Sequence, residues 1–122
     1  MPNYEGSLDA VFHALADRTR RELVERLIRG PLSVSQLARP LEMSLPAVMQ
    51  HLQVLEACGL VRSEKTGRVR TCHIEPDGLR MAEEWTGRQR TEWEHRLDRL
   101  GDRLSEQEPA ERGPAAEQGS TS

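Results

Sequence analysis

Apolar residues recur along this chain in two rhythms, a spacing of three and four over most of its length and a short stretch of alternation near residue 70. Leu8, Val11, Phe12 and Leu15 stand at i, i+3, i+4 and i+7, which is one face of a helix. A second stripe, Leu23, Val24, Leu27 and Ile28, stops at Gly30-Pro31, and Asp17 stands where that helix needs an N-cap. Val34, Leu37, Ala38 and Leu41 give a third, short helix. Glu42-Met43 leave room for only a tight turn before Ser44 caps a fourth helix, whose stripe is Val48, Leu52 and Leu55. Pro46 fits the first turn of that helix, where a missing N–H costs nothing. The period then falls to two. Leu60 and Val61 open a strand, Thr66-Gly67 supplies a turn, and Val69–Ile74 alternates as the returning strand. A last helix is predicted from about residue 77 or 78 to 104, with Ala82, Gln89, Trp93, Leu97, Leu100 and Leu104 along one face.

The fold class that follows is mainly α with a small two-stranded β-hairpin: a helix-turn-helix over residues 33–59, then a wing, then a long C-terminal helix. With Val48, Leu52 and Leu55 turned inward, Ala47, Met49, Gln50 and Gln53 of the fourth helix are thrown toward other faces. Small and amide-bearing side chains on an exposed helix face suit base edges in a major groove. The hairpin brings Arg62, Lys65, Arg68 and Arg70 together against Glu64 alone, a placement suited to phosphates or a minor groove. A run of charge is commonly no more than a solvated face, and the helix pair just before it is what makes contact with double-stranded DNA the stronger expectation.

The order of "ALADRTRRELVERL", "LSVSQLA", "MSLPAVMQHLQVLEACGLV" and "GRVRTCHI" before a long final helix resembles the ArsR/SmtB family of winged-helix bacterial repressors, over about residues 8–104. The resemblance implies a homodimer that binds a palindromic operator and represses transcription. By position it places Leu45, Ala47, Met49 and Gln50 where the family reads bases, with Ser44, His51 and Gln53 alongside, and Arg68 and Arg70 at the wing tip. One departure stands out. Metal-sensing members resemble one another in a Cys-x-Cys pair in the third helix, where this chain has Ser33 and Ser35. A hydroxyl is a poor substitute for a thiolate on soft or borderline metals. The family's other common site needs an Asp-x-His pair and a second His motif on the last helix. Here that helix offers His95 with Asp98 only. The expectation is therefore no metal site, no cofactor and an inducer other than a metal.

Charge and composition refine this picture. The chain of 122 residues carries a net charge of -3, but residues 105–122 hold four glutamates against one arginine, so residues 1–104 are neutral and the basic wing stands out locally. That acidic segment has no apolar residue larger than alanine and is expected to be a disordered tail, leaving 1–104 as one winged domain with its dimerisation helices. The stripe on the last helix is too long for so small a domain to cover, so Trp85, Trp93, Leu97 and Leu100, with Phe12 from the first helix, are expected at a dimer seam, the alternative being that the tryptophans cap the winged domain's own core. Arg18, Arg20 and Arg21 crowd the start of the second helix against its dipole, which leaves two readings, a DNA phosphate nearby or pairing with Glu22 and Glu25. Cys58 and Cys72 read as small core residues, with a thiol switch between them as the alternative. His13, His51, His73 and His95 are scattered, and no nucleophile stands beside a base, so catalytic residues are expected to be none. No 18-residue apolar run or signal sequence appears, so a cytoplasmic protein with no membrane contact is expected. Two alternatives share the scaffold: a metal- or redox-responsive repressor, and a winged helix used as a protein-interaction module.

Overall fold

The computed structural model describes residues 4–107. The elements run α1 (Tyr4–Leu15), α2 (Arg18–Ile28), β1 (Leu32–Ser33), α3 (Val34–Ala38), a 3-10 turn (Arg39–Leu41), α4 (Leu45–Ala57), β2 (Val61–Thr66), β3 (Val69–Ile74) and α5 (Pro76–Gln107). The described residues divide into two compact units, 4–84 and 85–107.

In the first unit the stripes read from the sequence meet in one core. Val11 and Ala14 of α1, Leu23, Val24 and Leu27 of α2, Leu37 of α3 and Val48, Leu52 and Leu55 of α4 are all buried, with Leu60, Val61 and Cys72 closing the core from the hairpin. The starts of α2, α3 and α4 are each fixed by a side-chain cap. Asp17 accepts from the Arg20 backbone N–H at 3.0 Å, and that bond, the largest influence on it, holds its carboxyl below the ordinary 3.8. The stabilisation from this cap is present above the ordinary value and is lost as pH falls through the lowered folded one. Ser33 and Gln36 form a reciprocal capping box at α3, with bonds of 3.1 and 2.8 Å. Ser44 caps α4, accepting from Ala47 N–H at 3.3 Å, and Pro46 occupies the first turn. The bend between α3 and α4 runs through the 3-10 turn to Glu42, whose φ of 54° and ψ of 36° put it in the left-handed region.

The hairpin is joined by a third strand that the sequence pattern did not announce. Leu32 and Ser33 pair antiparallel with Cys72 and Thr71, making a sheet in the order β1-β3-β2. Two residues are too few for any alternation to register. Between β2 and β3 a two-residue loop, Gly67-Arg68, links Thr66 to its partner Val69, and Gly67 supplies the positive φ (63°) at its first position.

The final helix starts a residue earlier than expected and runs three residues past 104 into the segment read as the acidic tail. The remainder of that segment, 108–122, lies outside the described residues. Inside the first unit the start of α5 is fixed by a close backbone approach. Gly78 N–H, one of the four free donors at the helix start, bonds Gly59 O at 3.0 Å. In the second unit, Trp93, Leu97, Leu100 and Leu104 are all exposed, Trp93 by 59% of its surface.

Candidate nucleic-acid interface

The geometry of α4 follows from its buried stripe. With Val48, Leu52 and Leu55 inward, a 100° step per residue places Pro46, Gln50, Gln53 and Ala57 on the opposite side, and all four are exposed. Gln50 and Gln53 therefore lie one turn apart on the outermost face. Ala47 and Met49 fall on the flanks and are half-buried, while Leu45 is exposed at the start of the helix. On one flank, Leu45 and Met49 share a cleft of about 400 Å3 with Ser33, Val34 and Ser35 and with Arg68, Val69 and Arg70 of the wing. The structure thus brings the start of α4 and the wing tip together.

His51 lies on the other flank and is engaged within the protein. Its Nδ1 sits 3.2 Å from Arg20 Nη1. A guanidinium can only donate, so in this contact Nδ1 is the acceptor. Arg20 also donates from Nε to Ala14 O at 2.8 Å and from Nη2 to His13 O at 3.2 Å, and Arg21 donates to Leu15 O at 2.9 Å. This resolves the electrostatic oddity at the start of α2. The arginines that oppose the dipole of α2 cap the C-terminal carbonyls of α1, where positive charge is favourable. Pairing with Glu22 and Glu25, one of the two readings made from the sequence, is not what Arg20 and Arg21 show: their guanidinium groups meet the end of α1 instead. Arg26 does the same for α3, donating to Leu37 O at 2.8 Å and Gln36 O at 3.0 Å.

The four wing cations separate by strand register. Residues paired directly across an antiparallel ladder share a face, so Ser63, Lys65, Arg70 and Cys72 lie on one side and Arg62, Glu64, Thr71 and His73 on the other. Arg62 is committed on its own side, 2.8 Å from Glu64 and 3.7 Å from Glu75, with His73 3.5 Å from Glu64. Arg70 is half-buried and donates from Nη1 to Ser63 Oγ at 3.1 Å. Lys65 and Arg68 are exposed and have no ion pair or hydrogen bond from their side chains among the described residues. Of the four, these two hold uncommitted positive charge at the wing tip.

Among the described residues no three His, Cys, Asp or Glu side chains converge to hold a metal ion, and Ser33 Oγ is occupied by its capping bond. Cys58 and Cys72 are both buried. Burial pushes the Cys72 thiol up to about 11, with Glu56 adding to the shift, and burial also raises Cys58. Thiolate is scarce at both, so a native sample at pH 8 should resist iodoacetamide while the urea-unfolded chain labels at both sites, as mass spectrometry would show. Rapid labelling of the native protein would revive the thiol switch. No helix among the described residues is long and apolar enough to cross a membrane.

Comparison with known proteins agrees with this geometry. Residues 17–63 match the family described as bacterial regulatory protein, arsR family. The HTH-type transcriptional regulator Rv2034 of Mycobacterium tuberculosis is 51% identical over 73 residues, covering 60% of this chain and 68% of that protein. A crystal structure of an ArsR family transcriptional regulator superposes with a TM-score of 0.71 at 47% identity, covering 77% of this chain and 97% of the other. The homodimeric winged helix-turn-helix DNA-binding domain of a possible ArsR-family regulator from Mycobacterium bovis, solved in solution, superposes at 0.58 with 25% identity, covering 74% and 84%.

Proposed function

Because the chain belongs to the arsR family of bacterial regulatory proteins, transcriptional regulators with a winged helix-turn-helix DNA-binding domain, we propose that it is a cytoplasmic homodimeric repressor of a palindromic operator whose inducer is not a metal. The observation that carries this reading is the outward pairing of Gln50 and Gln53 on α4, a helix whose Leu45 and Met49 share a cleft with Arg68 of the wing, where Lys65 and Arg68 are uncommitted. A glutamine amide can donate to and accept from adenine at once in the major groove. Leu45 and Met49, on the wing side of the same helix, offer apolar contact to a thymine methyl. Lys65 and Arg68 supply the phosphate contacts that position the helix without reading sequence. Arg62, paired on the far face of the hairpin, and His51, held by Arg20, have supporting roles in this account.

A palindrome requires two reading helices about 34–36 Å apart, one duplex turn, which a two-fold dimer provides. What supports dimerisation is the apolar stripe Trp93, Leu97, Leu100 and Leu104 on α5, exposed by about half or more at Trp93, Leu100 and Leu104. Phe12 and Trp85 are also substantially exposed. Exposed aromatic and aliphatic area of this kind is what a second copy would bury. The Mycobacterium bovis neighbour is homodimeric by its description.

The test uses duplexes enriched by the protein from a random pool. Gln50→Ala should weaken binding to the enriched duplex by about 1–3 kcal/mol and leave binding to random duplex nearly unchanged. Arg68→Ala should weaken both and reduce the slope of log affinity against log salt by about 0.9. Equal losses on both duplexes for Gln50→Ala would remove it as a base reader.

A further inference from the structure

Arg70 stands at the wing with Lys65 and Arg68, yet its surroundings differ from theirs. Its guanidinium donates to Ser63 Oγ at 3.1 Å, and the same hydroxyl donates to Glu56 Oε2 at 3.2 Å. The chain of bonds crosses three elements. Glu56 is in the last turn of the reading helix α4, Ser63 is on β2 and Arg70 on β3. A hydroxyl has one donor and two acceptor sites, so Ser63 can serve both neighbours at once, and its single proton goes to the carboxylate. Arg70 and Glu56 are thus linked, cation to anion, through one hydroxyl, in a half-buried setting where such bonds are stronger than in water.

We infer that Arg70, Ser63 and Glu56 form a latch that fixes the wing at its angle to the reading helix, and that Arg70 is a positioning residue rather than a phosphate contact. The inference rests on the DNA-binding reading above and divides the labour within it. Lys65 and Arg68 meet the backbone, and the latch decides where they stand relative to Gln50 and Gln53. Beyond Val61 and Cys72, which are buried in the core, β2 and β3 are half-buried or exposed. Misplacing a reading or anchoring group by an ångström forfeits much of a bidentate contact, so loss of the latch costs specific affinity even though every charge that faces DNA remains.

Charge alone predicts the opposite sign for one variant. Glu56→Gln removes a negative charge near the wing, and a purely electrostatic view expects tighter DNA binding. The latch predicts weaker binding.

The experiment compares Ser63→Ala, Ser63→Thr, Glu56→Gln, Arg70→Ala and Arg68→Ala, with two readouts. On enriched duplex across a salt series, Ser63→Ala, Glu56→Gln and Arg70→Ala should each weaken binding about five- to tenfold at an unchanged salt slope, while Arg68→Ala lowers the slope by about 0.9. Ser63→Thr keeps the hydroxyl and should restore affinity. Combining Ser63→Ala with Arg70→Ala should add almost nothing to either alone. In the DNA-free protein, hydrogen exchange of backbone amides in residues 61–74 should speed up for Ser63→Ala and return to normal for Ser63→Thr, with residues 18–28 unaffected. A slope reduced by about one in Arg70→Ala would make it a phosphate contact and overturn the inference. So would unchanged exchange in Ser63→Ala, a result independent of whether DNA is bound. Failure of every form of the protein to prefer an enriched duplex would instead defeat the DNA-binding reading, with the exchange data still deciding the latch.

Discussion

Arg20→Ala is expected to lower the stability of the fold by about 2–4 kcal/mol, since hydrogen bonds to charged groups contribute about 1.5–3 each and those sharing one side chain are not additive. Arg20 is only 12% exposed in its side chain and donates to three acceptors on two helices: Ala14 O and His13 O at the end of α1, and His51 Nδ1 on α4. Asp17 lies 4.0 Å from the same guanidinium. Truncation removes the donor and leaves two end-of-helix carbonyls to find water in a partly buried position. Lysine should not rescue, because one ammonium cannot span the geometry of a planar five-donor fork. Urea unfolding at fixed protein concentration would show a lower midpoint with an unchanged slope. A loss under 1 kcal/mol would mean that Arg20 is a solvated charge. Since the same residue orients His51 beside Gln50, the variant should also lose affinity for the enriched duplex even where it remains folded.

The second large effect is at Gly78. A methyl group there would sit 2.9 Å from Gly59 O, closer than real Cβ atoms approach, and 3.0 Å from Leu60 Cγ and Cδ2, a tight contact. Leu60 is fully buried, and Gly59 holds a φ of 80° with its carbonyl bonded to Gly78 N–H, so neither neighbour can withdraw freely. Gly78→Ala should therefore destabilise by about 1–3 kcal/mol despite alanine's better helix propensity. Gly87→Ala and Gly101→Ala provide the contrast. Both are in α5 with open space around them, and each should stabilise by about 0.5–1 kcal/mol. Thermal melts of the three variants at equal concentration would show opposite signs. A stabilising Gly78→Ala would mean that the junction between α4 and α5 is not close-packed.

These two residues also show where sequence reading ends. The helix-turn-helix was legible because Ser44, Pro46 and the stripe Val48, Leu52, Leu55 each carry a local signal for the same helix. The contact of Gly59 with Gly78 joins positions nineteen apart and leaves no periodic trace. Arg20 was visible as an anomaly, a cation at the wrong end of its own helix, but its explanation is the end of a different helix. His51 is similar, its role decided by α2 rather than by α4. The wing is instructive in another way. Once Gly67-Arg68 is taken as a two-residue loop, counting back from Thr66 and forward from Val69 puts Arg62 opposite His73 and Lys65 opposite Arg70. The separation of Arg62 from the other cations was available in the sequence, and grouping all four by proximity alone hid it. What no count could provide is the Ser63 hydroxyl standing between Arg70 and Glu56, because that depends on how the sheet packs against α4.

The central claim is that this chain, as a dimer, reads a specific duplex through α4 and holds it through the wing. Fluorescence anisotropy of the purified protein on a duplex enriched from a random pool, against a scrambled duplex of equal length and over a salt series, tests it most directly. The account predicts a preference of about a thousandfold or more at physiological salt, saturation at two chains per duplex, and affinity that falls steeply with salt. Weak binding of equal strength to both duplexes would contradict it and make protein interaction the leading use of this winged helix.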